Sequence, residues 1–416
     1  MRLKNEYLRR GAVIFTILYS IMPVVSRAVS TYLTTYFYML FVVVFLVIIV
    51  GKRKKDSLFI YLSDILPFIL FGLISYFINA DPVLFWGYKV MLFIMPVVIG
   101  IYLVYYYPND NGLYSKVIIA ATLITLLTTM RGLGIYPTAS RWLATADATD
   151  DAKLIKYSWM NIGGYNFVYT VVLLYPLLIL AYKKGKISLF KTVVISVVIF
   201  NFLMLAEYTI ALILFVVTTS MFFMRRKMKS RDITVLVIAT LLIIFMFSGM
   251  VSNILKNVSA VIKSENVSER VEALSEGREG LEEFSDNRWK LYEQSLKTFF
   301  KKPLLGTLLE GGKGTSGHSF ILDSVAQYGL AGILLLFFMY RKIFRMFYRK
   351  YHSEYDYGYV VWIFAQAVVL ATINTGMWLE VLAFYAPVVL QTIYGGGHAN
   401  EKNIVDSKYI ADADQH

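Results

Sequence analysis

The chain contains no cysteine, only four histidines and few charges, with Asp, Glu, Lys and Arg making up 17% of its 416 residues. Without thiols there are no disulfides, thiolate metal sites or cysteine nucleophiles, and cysteine usage marks no redox compartment. A water-soluble domain carries about 25% charged and about 45–50% apolar residues. Here 57% are hydrophobic and 16% aromatic, with a mean hydropathy of +0.59. That excess must face lipid, which identifies a membrane protein. The net charge of +13 comes from short Lys and Arg clusters between apolar runs. This is a pattern of membrane topology, and no nucleic-acid partner is expected.

A membrane-spanning helix needs about 20 mostly apolar residues. Twelve such runs are found, at residues 11–28, 31–50, 57–78, 83–106, 114–130, 165–182, 187–206, 208–224, 232–250, 318–340, 358–373 and 376–394. The expected fold is therefore an all-α polytopic membrane protein of about 12 transmembrane helices. With both termini cytoplasmic, the inner segments hold 25 of the 41 Lys and Arg residues, which satisfies the positive-inside rule. The apolar segment after the basic residues 1–10 is too long for a cleavable signal peptide, so the first helix is expected to stay. Two longer stretches fall outside, 131–164 and 251–317, the second with ten basic and ten acidic side chains over 67 residues. The organisation is thus a membrane domain over 1–250, a large outer loop over 251–317, a second membrane portion over 318–394 and a polar cytoplasmic tail over 395–416. Function is expected in the outer loops.

His318 is the only histidine that this topology places outside, since His352, His398 and His416 fall on cytoplasmic segments. A helix beginning at Ser316 or Gly317 would put it in the first turn, where the dipole keeps the imidazole neutral and able to accept a proton. An interfacial histidine without chemistry is the plainer reading. Arg288 opens an amphipathic stretch, with Trp289, Tyr292, Leu296, Phe299 and Phe300 on one face until Pro303 stops it. Its guanidinium beside free backbone N–H groups suits a phosphate or pyrophosphate, against the alternative of pairing with Glu283 or Asp286. Arg131 and Arg141 lie in the first outer stretch with Trp142, Tyr157 and Trp159, side chains suited to a lipid-linked phosphate and to sugar rings. Five of the six tryptophans, Trp86, Trp142, Trp159, Trp289 and Trp378, fall at or beyond the outer face, a bias that favours carbohydrate. Asp64, Lys89, Glu207, Asp323 and Glu380 are ionisable residues within spans and need a cavity or a partner. Asp323 either orients His318 or pairs with Lys89. The glycines at 306, 311, 312, 314 and 317 do not have P-loop spacing. The scattered carboxylates lack that of a zinc or calcium site, so neither metal nor cofactor is expected.

Three stretches carry a resemblance: Asn287-Arg288-Trp289 opening a helix, Lys302-Pro303-Leu304-Leu305-Gly306 after it, and the approach to His318-Ser319-Phe320-Ile321-Leu322. With Ala326-Gln327-Tyr328-Gly329-Leu330-Ala331-Gly332 in the next span, the chain resembles the O-antigen polymerase and O-antigen ligase superfamily of bacterial envelope glycosyltransferases. About 50 residues carry the motif, and Ser319 stands where that superfamily more often has Asn. The resemblance implies a GT-C-like, metal-independent, inverting transfer from glycans on undecaprenyl pyrophosphate, at the outer face of a bacterial cytoplasmic membrane. His318 would engage the acceptor hydroxyl. Arg288, with Arg131 or Arg141, would stabilise the leaving pyrophosphate, and Trp142, Trp289 and Asp323 would line the substrate site. A capsular or O-antigen polymerase is the preferred expectation, working beside flippase and chain-length regulator proteins. A ligase, which transfers the finished glycan to another acceptor, is the alternative, and a lipid-linked oligosaccharide flippase is a more distant one.

Overall fold

The computed structural model of the chain describes residues 2–32, 66–71, 73–74, 94–143, 151–223, 237–238, 240, 291–310 and 315–395, and all regular structure among them is helical. Most of the expected spans at 31–50, 57–78 and 232–250 and the first part of that at 83–106 lie outside these residues, as do 251–290 and the tail from 396. Among the described residues four stretches are long and apolar enough to cross a membrane, namely Pro108–Ile135, Tyr165–Lys183, Leu189–Ala206 and Phe320–Tyr351. Five result if the bent pair Glu6–Ile21 and Pro23–Tyr32 is taken as one span.

The helices are α1 (Arg2–Ile21), α2 (Pro23–Tyr32), α3 (Ile94–Tyr105), α4 (Asn111–Ile135), α5 (Ala139–Trp142), α6 (Asp151–Trp159) and α7 (Tyr165–Lys183). They continue with α8 (Leu189–Ala206), α9 (Thr209–Phe222), α10 (291–301), α11 (Phe320–Ile343), α12 (Tyr357–Ile373) and α13 (Glu380–Tyr394). The first expected span, 11–28, is not one straight helix. Proline disfavours helical geometry in the residue before it and has no N–H to give. The chain accordingly bends by 106° ahead of Pro23, and α2 turns away to pack on α6. Helix α7 is the centre of the bundle, packed against α8, α9, α12 and α13, whereas α1 and α13 both lean on α4.

Polar contacts hold neighbouring helices where lipid offers no hydrophobic drive. The buried Thr218 hydroxyl on α9 accepts from Trp362 Nε1 (2.9 Å) and Gln366 Nε2 (2.6 Å) on α12 and donates to Leu214 O (2.7 Å). Tyr359 donates to Met221 O at 2.6 Å. Contacts of this kind contribute about 0.6 kcal/mol each, so the set fixes register more than stability. At one end of the bundle, Asp110 accepts from Arg9 (2.7 Å) and twice from Arg10 (3.1 and 2.7 Å), and Lys184 pairs with Glu354 (2.8 Å). Among the described residues this end carries Arg9, Arg10 and Lys184, three of the basic residues that the charge rule places inside. The described parts of the 131–164 stretch, the α8–α9 turn and the α12–α13 connection meet at the other end.

That far end depends on a break in α11. Gly329 has φ 60° and ψ −146° in mid-helix, and the turn at 303–310 docks into the gap. Leu330 N–H donates to Pro303 O (2.8 Å), and Thr307 N–H donates to Ala326 O (3.1 Å), so the backbone groups freed by the break are paired again. A Cβ on Gly329 would stand 2.5 Å from Leu304 C and O, and one on Gly306 (φ +57°) 2.3 Å from Ala326 O. Gly185 also has positive φ (+68°), with open space around it. Gly329→Ala should therefore cost more than about 2 kcal/mol, from left-handed strain plus collision, and Gly185→Ala about 1 kcal/mol, from strain alone. Thermal midpoints of the two purified variants in detergent check this. Equal shifts would show that the docking carries no steric load.

Candidate functional site

Helix α11 starts at Phe320 with Ser319 as its N-cap, whose hydroxyl accepts from Leu322 N–H at 3.0 Å. His318 therefore precedes the cap and is not in the first helical turn, which corrects the placement expected from the sequence. Its ring is exposed, and its backbone N–H donates to Ser316 Oγ at 3.1 Å. Asp323 is buried one turn inside and gathers this loop. One carboxylate oxygen accepts from Ser295 Oγ (2.6 Å), Ser316 N–H (3.0 Å) and Ser316 Oγ (2.7 Å), and the other accepts from Ser319 N–H (3.1 Å). Four donors stand in for the water that a buried carboxylate gives up, without which burial would cost several kcal/mol. Lys89, the other partner expected for Asp323, lies outside the described residues.

The same loop is tied to the α12–α13 connection. Ser319 Oγ donates to Thr372 O (2.6 Å), Phe320 N–H donates to Asn374 O (2.8 Å), and Tyr292 on α10 donates to Ile373 O (2.8 Å). That connection carries Trp378, whose ring lies 6.1 Å from Tyr165 and 5.4 Å from Tyr169, centroid to centroid. Tyr208 stands 5.9 Å from both tyrosines and donates to Ser140 O at 3.0 Å. Burial pushes its phenol up to about 12, so it remains a neutral donor.

Glu207 was expected within a span. It lies in the α8–α9 turn, in the left-handed region at φ 59°, and Arg141 reaches it at 3.5 Å. Burial pushes the Glu207 carboxyl above the usual 4.5, against the pull of Arg141. Asn161, also left-handed at φ 56°, holds the platform beneath. Its amide donates to Thr125 (3.2 Å) and Thr128 (3.0 Å) and accepts from Val24 N–H (3.3 Å). Trp142 packs edge-on against Tyr157 at 5.6 Å, and Lys156 sits 4.3 Å over Tyr136.

Of the residues singled out in the sequence, His318 lies in the loop that Asp323 holds from the first turn of α11, and Arg141 and Trp142 share the short helix α5. Arg131 is exposed on the last turns of α4, not in a loop. Arg288 and Trp289 lie outside the described residues. Phe300, expected on the apolar face of its helix, is 74% exposed, whereas Ser295 on the same helix is buried against Asp323. The reading missed Ser295, Ser316, the 374–378 connection and the Arg141–Glu207 pair. A serine interrupting an aromatic stripe was the available signal for the first. Among the described residues no group of three or more His, Asp and Glu side chains is placed to hold a metal ion.

A carboxyl whose folded value is raised stabilises fully below its unfolded value, and that contribution is lost as pH rises through the folded value. The thermal midpoint of wild type should thus fall as pH increases from about 4.5, and Glu207→Gln should flatten that part of the profile. An unchanged profile in the variant would assign the titration elsewhere. Compared with protein-family models and with curated protein sequences, the chain matches none.

Proposed function

We propose that the protein is a polysaccharide polymerase that joins oligosaccharide repeat units carried on undecaprenyl pyrophosphate, at the outer face of a bacterial cytoplasmic membrane. One observation carries this reading. Three of the stretches of the resembled motif are adjacent in space, with Pro303–Gly306 docked into the helix break at Gly329 and the loop that carries His318 tied to Asp323 on the same helix. Ser319 departs from the more usual Asn, and it caps α11 as an Asn can. The positive-inside rule puts the basic end in the cytoplasm and the His318 end outside, which fits a glycan donor presented on that surface.

In this reading His318 accepts the proton of an acceptor hydroxyl as its oxygen attacks the anomeric carbon of the donor sugar. The bond from that carbon to the pyrophosphate oxygen breaks on the opposite face, so configuration inverts and the lipid pyrophosphate departs with the electron pair. Arg288 and Arg131 meet the developing charge. Arg141 is partly neutralised by Glu207 at 3.5 Å, which makes it the weaker candidate for that role.

The test is a gel of surface polysaccharide from a deletion strain complemented with wild type or with His318→Ala. General-base loss costs about 10²- to 10⁴-fold, so single capped units are expected in the deletion and mutant lanes beside a full ladder from wild type. Wild-type polymer length from His318→Ala would overturn the assignment of the base. Full-length polymer left on its lipid carrier would show a ligase, and loss of all surface sugar a transporter.

A further inference from the structure

Two side-chain donors in the α12–α13 connection are buried and find no hydrogen-bond acceptor among the described residues: Asn374 Nδ2 and Trp378 Nε1. Asn374 is 3% exposed and Trp378 5%. Buried polar groups are almost always paired, and those that are not call for a specific explanation. Packing alone does not supply one. Trp378 adopts φ +59°, a conformation that bulky side chains avoid, and its ring folds back over Gly376, where any Cβ would stand 2.7 Å from it. A smaller aromatic side chain would pack there without stranding an N–H. The chain thus maintains an unfavourable backbone and an unpaired donor together, a combination that clusters at functional sites.

The surroundings indicate the chemistry of the missing acceptor. Tyr165, partly exposed beside the buried Trp378 ring, presents an aromatic edge that favours a ring with C–H faces. The donors at 374 and 378 and the Arg141 guanidinium favour oxygens. Glu207, 3.5 Å from Arg141, repels an anion but accepts from a hydroxyl, which argues against phosphate. Backbone hydrogen bonding from Phe320 N–H to Asn374 O (2.8 Å) sets the pair of donors beside the His318 loop.

We propose that the Asn374–Trp378 connection, with Tyr165 and the Arg141–Glu207 pair at its rim, is a saccharide subsite that binds a neutral sugar ring next to His318. The inference rests on the glycosyltransferase reading for its biological role, but the binding event can be measured without it. The probe is the repeat-unit oligosaccharide released by partial hydrolysis of the strain's own surface polysaccharide. It is titrated by calorimetry into full-length protein in nanodiscs, as wild type and as Trp378→Phe, with helical content and elution profile confirming that the variant is folded. Trp378→Phe keeps an aromatic side chain but removes the N–H together with the five-membered ring, so affinity should fall at least about tenfold, the loss of one hydrogen bond in a buried site setting the minimum. Glu207→Gln provides a second variant, expected to bind more weakly than wild type and not to unfold.

Wild-type affinity in Trp378→Phe, or no binding by wild type, overturns the subsite. If that occurs while the deletion strain displays single units, the polymerase reading survives alone. If wild type binds, Trp378→Phe does not, and the deletion strain still makes full-length polymer, the subsite stands and the polymerase reading falls.

Discussion

The far end of the bundle depends on one buried carboxylate. Asp323 takes four hydrogen bonds from three serines, Ser295 on α10, Ser316 in the loop and Ser319 at the cap of α11. A charge in that position is tolerable only while every donor is present, so the carboxylate selects a single arrangement of two helices and the loop between them. Removing one partner would leave either the carboxylate or its donors stranded, and each stranded donor would cost about 1–3 kcal/mol. The exposed His318 ring is therefore carried on a rigid support, the condition under which a side chain can act as a positioned base.

Six residues further along, the same helix is opened at Gly329 and closed again by the Pro303–Gly306 turn. The two features work together. Ser319 and Phe320 bind α11 to the end of α12, and Pro303 and Thr307 bind it to the end of α10. In hydrocarbon an interrupted helix survives only where neighbouring backbone satisfies it, and here one glycine on each side lets the backbones approach. Displacement of either contact would be transmitted to the His318 loop through a single short helical segment, 320–328.

The helical class and the apolar runs were legible in composition alone, because lipid imposes the same period and length on every span. The helices Asn111–Ile135, Tyr165–Lys183 and Leu189–Ala206 fall where the hydropathy put them. The bend at Pro23 was not read, since both sides of it are apolar and a window average hides a change of direction. His318 and Asp323 were visible as rare polar groups beside an apolar run. Their roles were not, because Asp323 draws partners from residue 295, twenty-eight positions away, and no local pattern encodes that pairing. Glu207 looked intramembrane because apolar helices flank it on both sides. In fact, its left-handed backbone makes it the turn. The 374–378 connection was silent in sequence apart from its tryptophan, since what distinguishes it is a pair of unmatched donors that only the folded chain reveals.

The central claim is that the Asp323-organised loop and the α12–α13 connection face outward, while the basic end faces the cytoplasm. Because the chain contains no cysteine, single cysteines report location without background. Thr375→Cys, exposed in the connection, and Lys186→Cys, exposed between α7 and α8, are to be treated in intact cells with a membrane-impermeant maleimide. Labelling at 375 before permeabilisation and at 186 only afterwards is the expected result. Labelling at 186 in intact cells with 375 protected would contradict the orientation, and with it any chemistry at His318 on the outer surface.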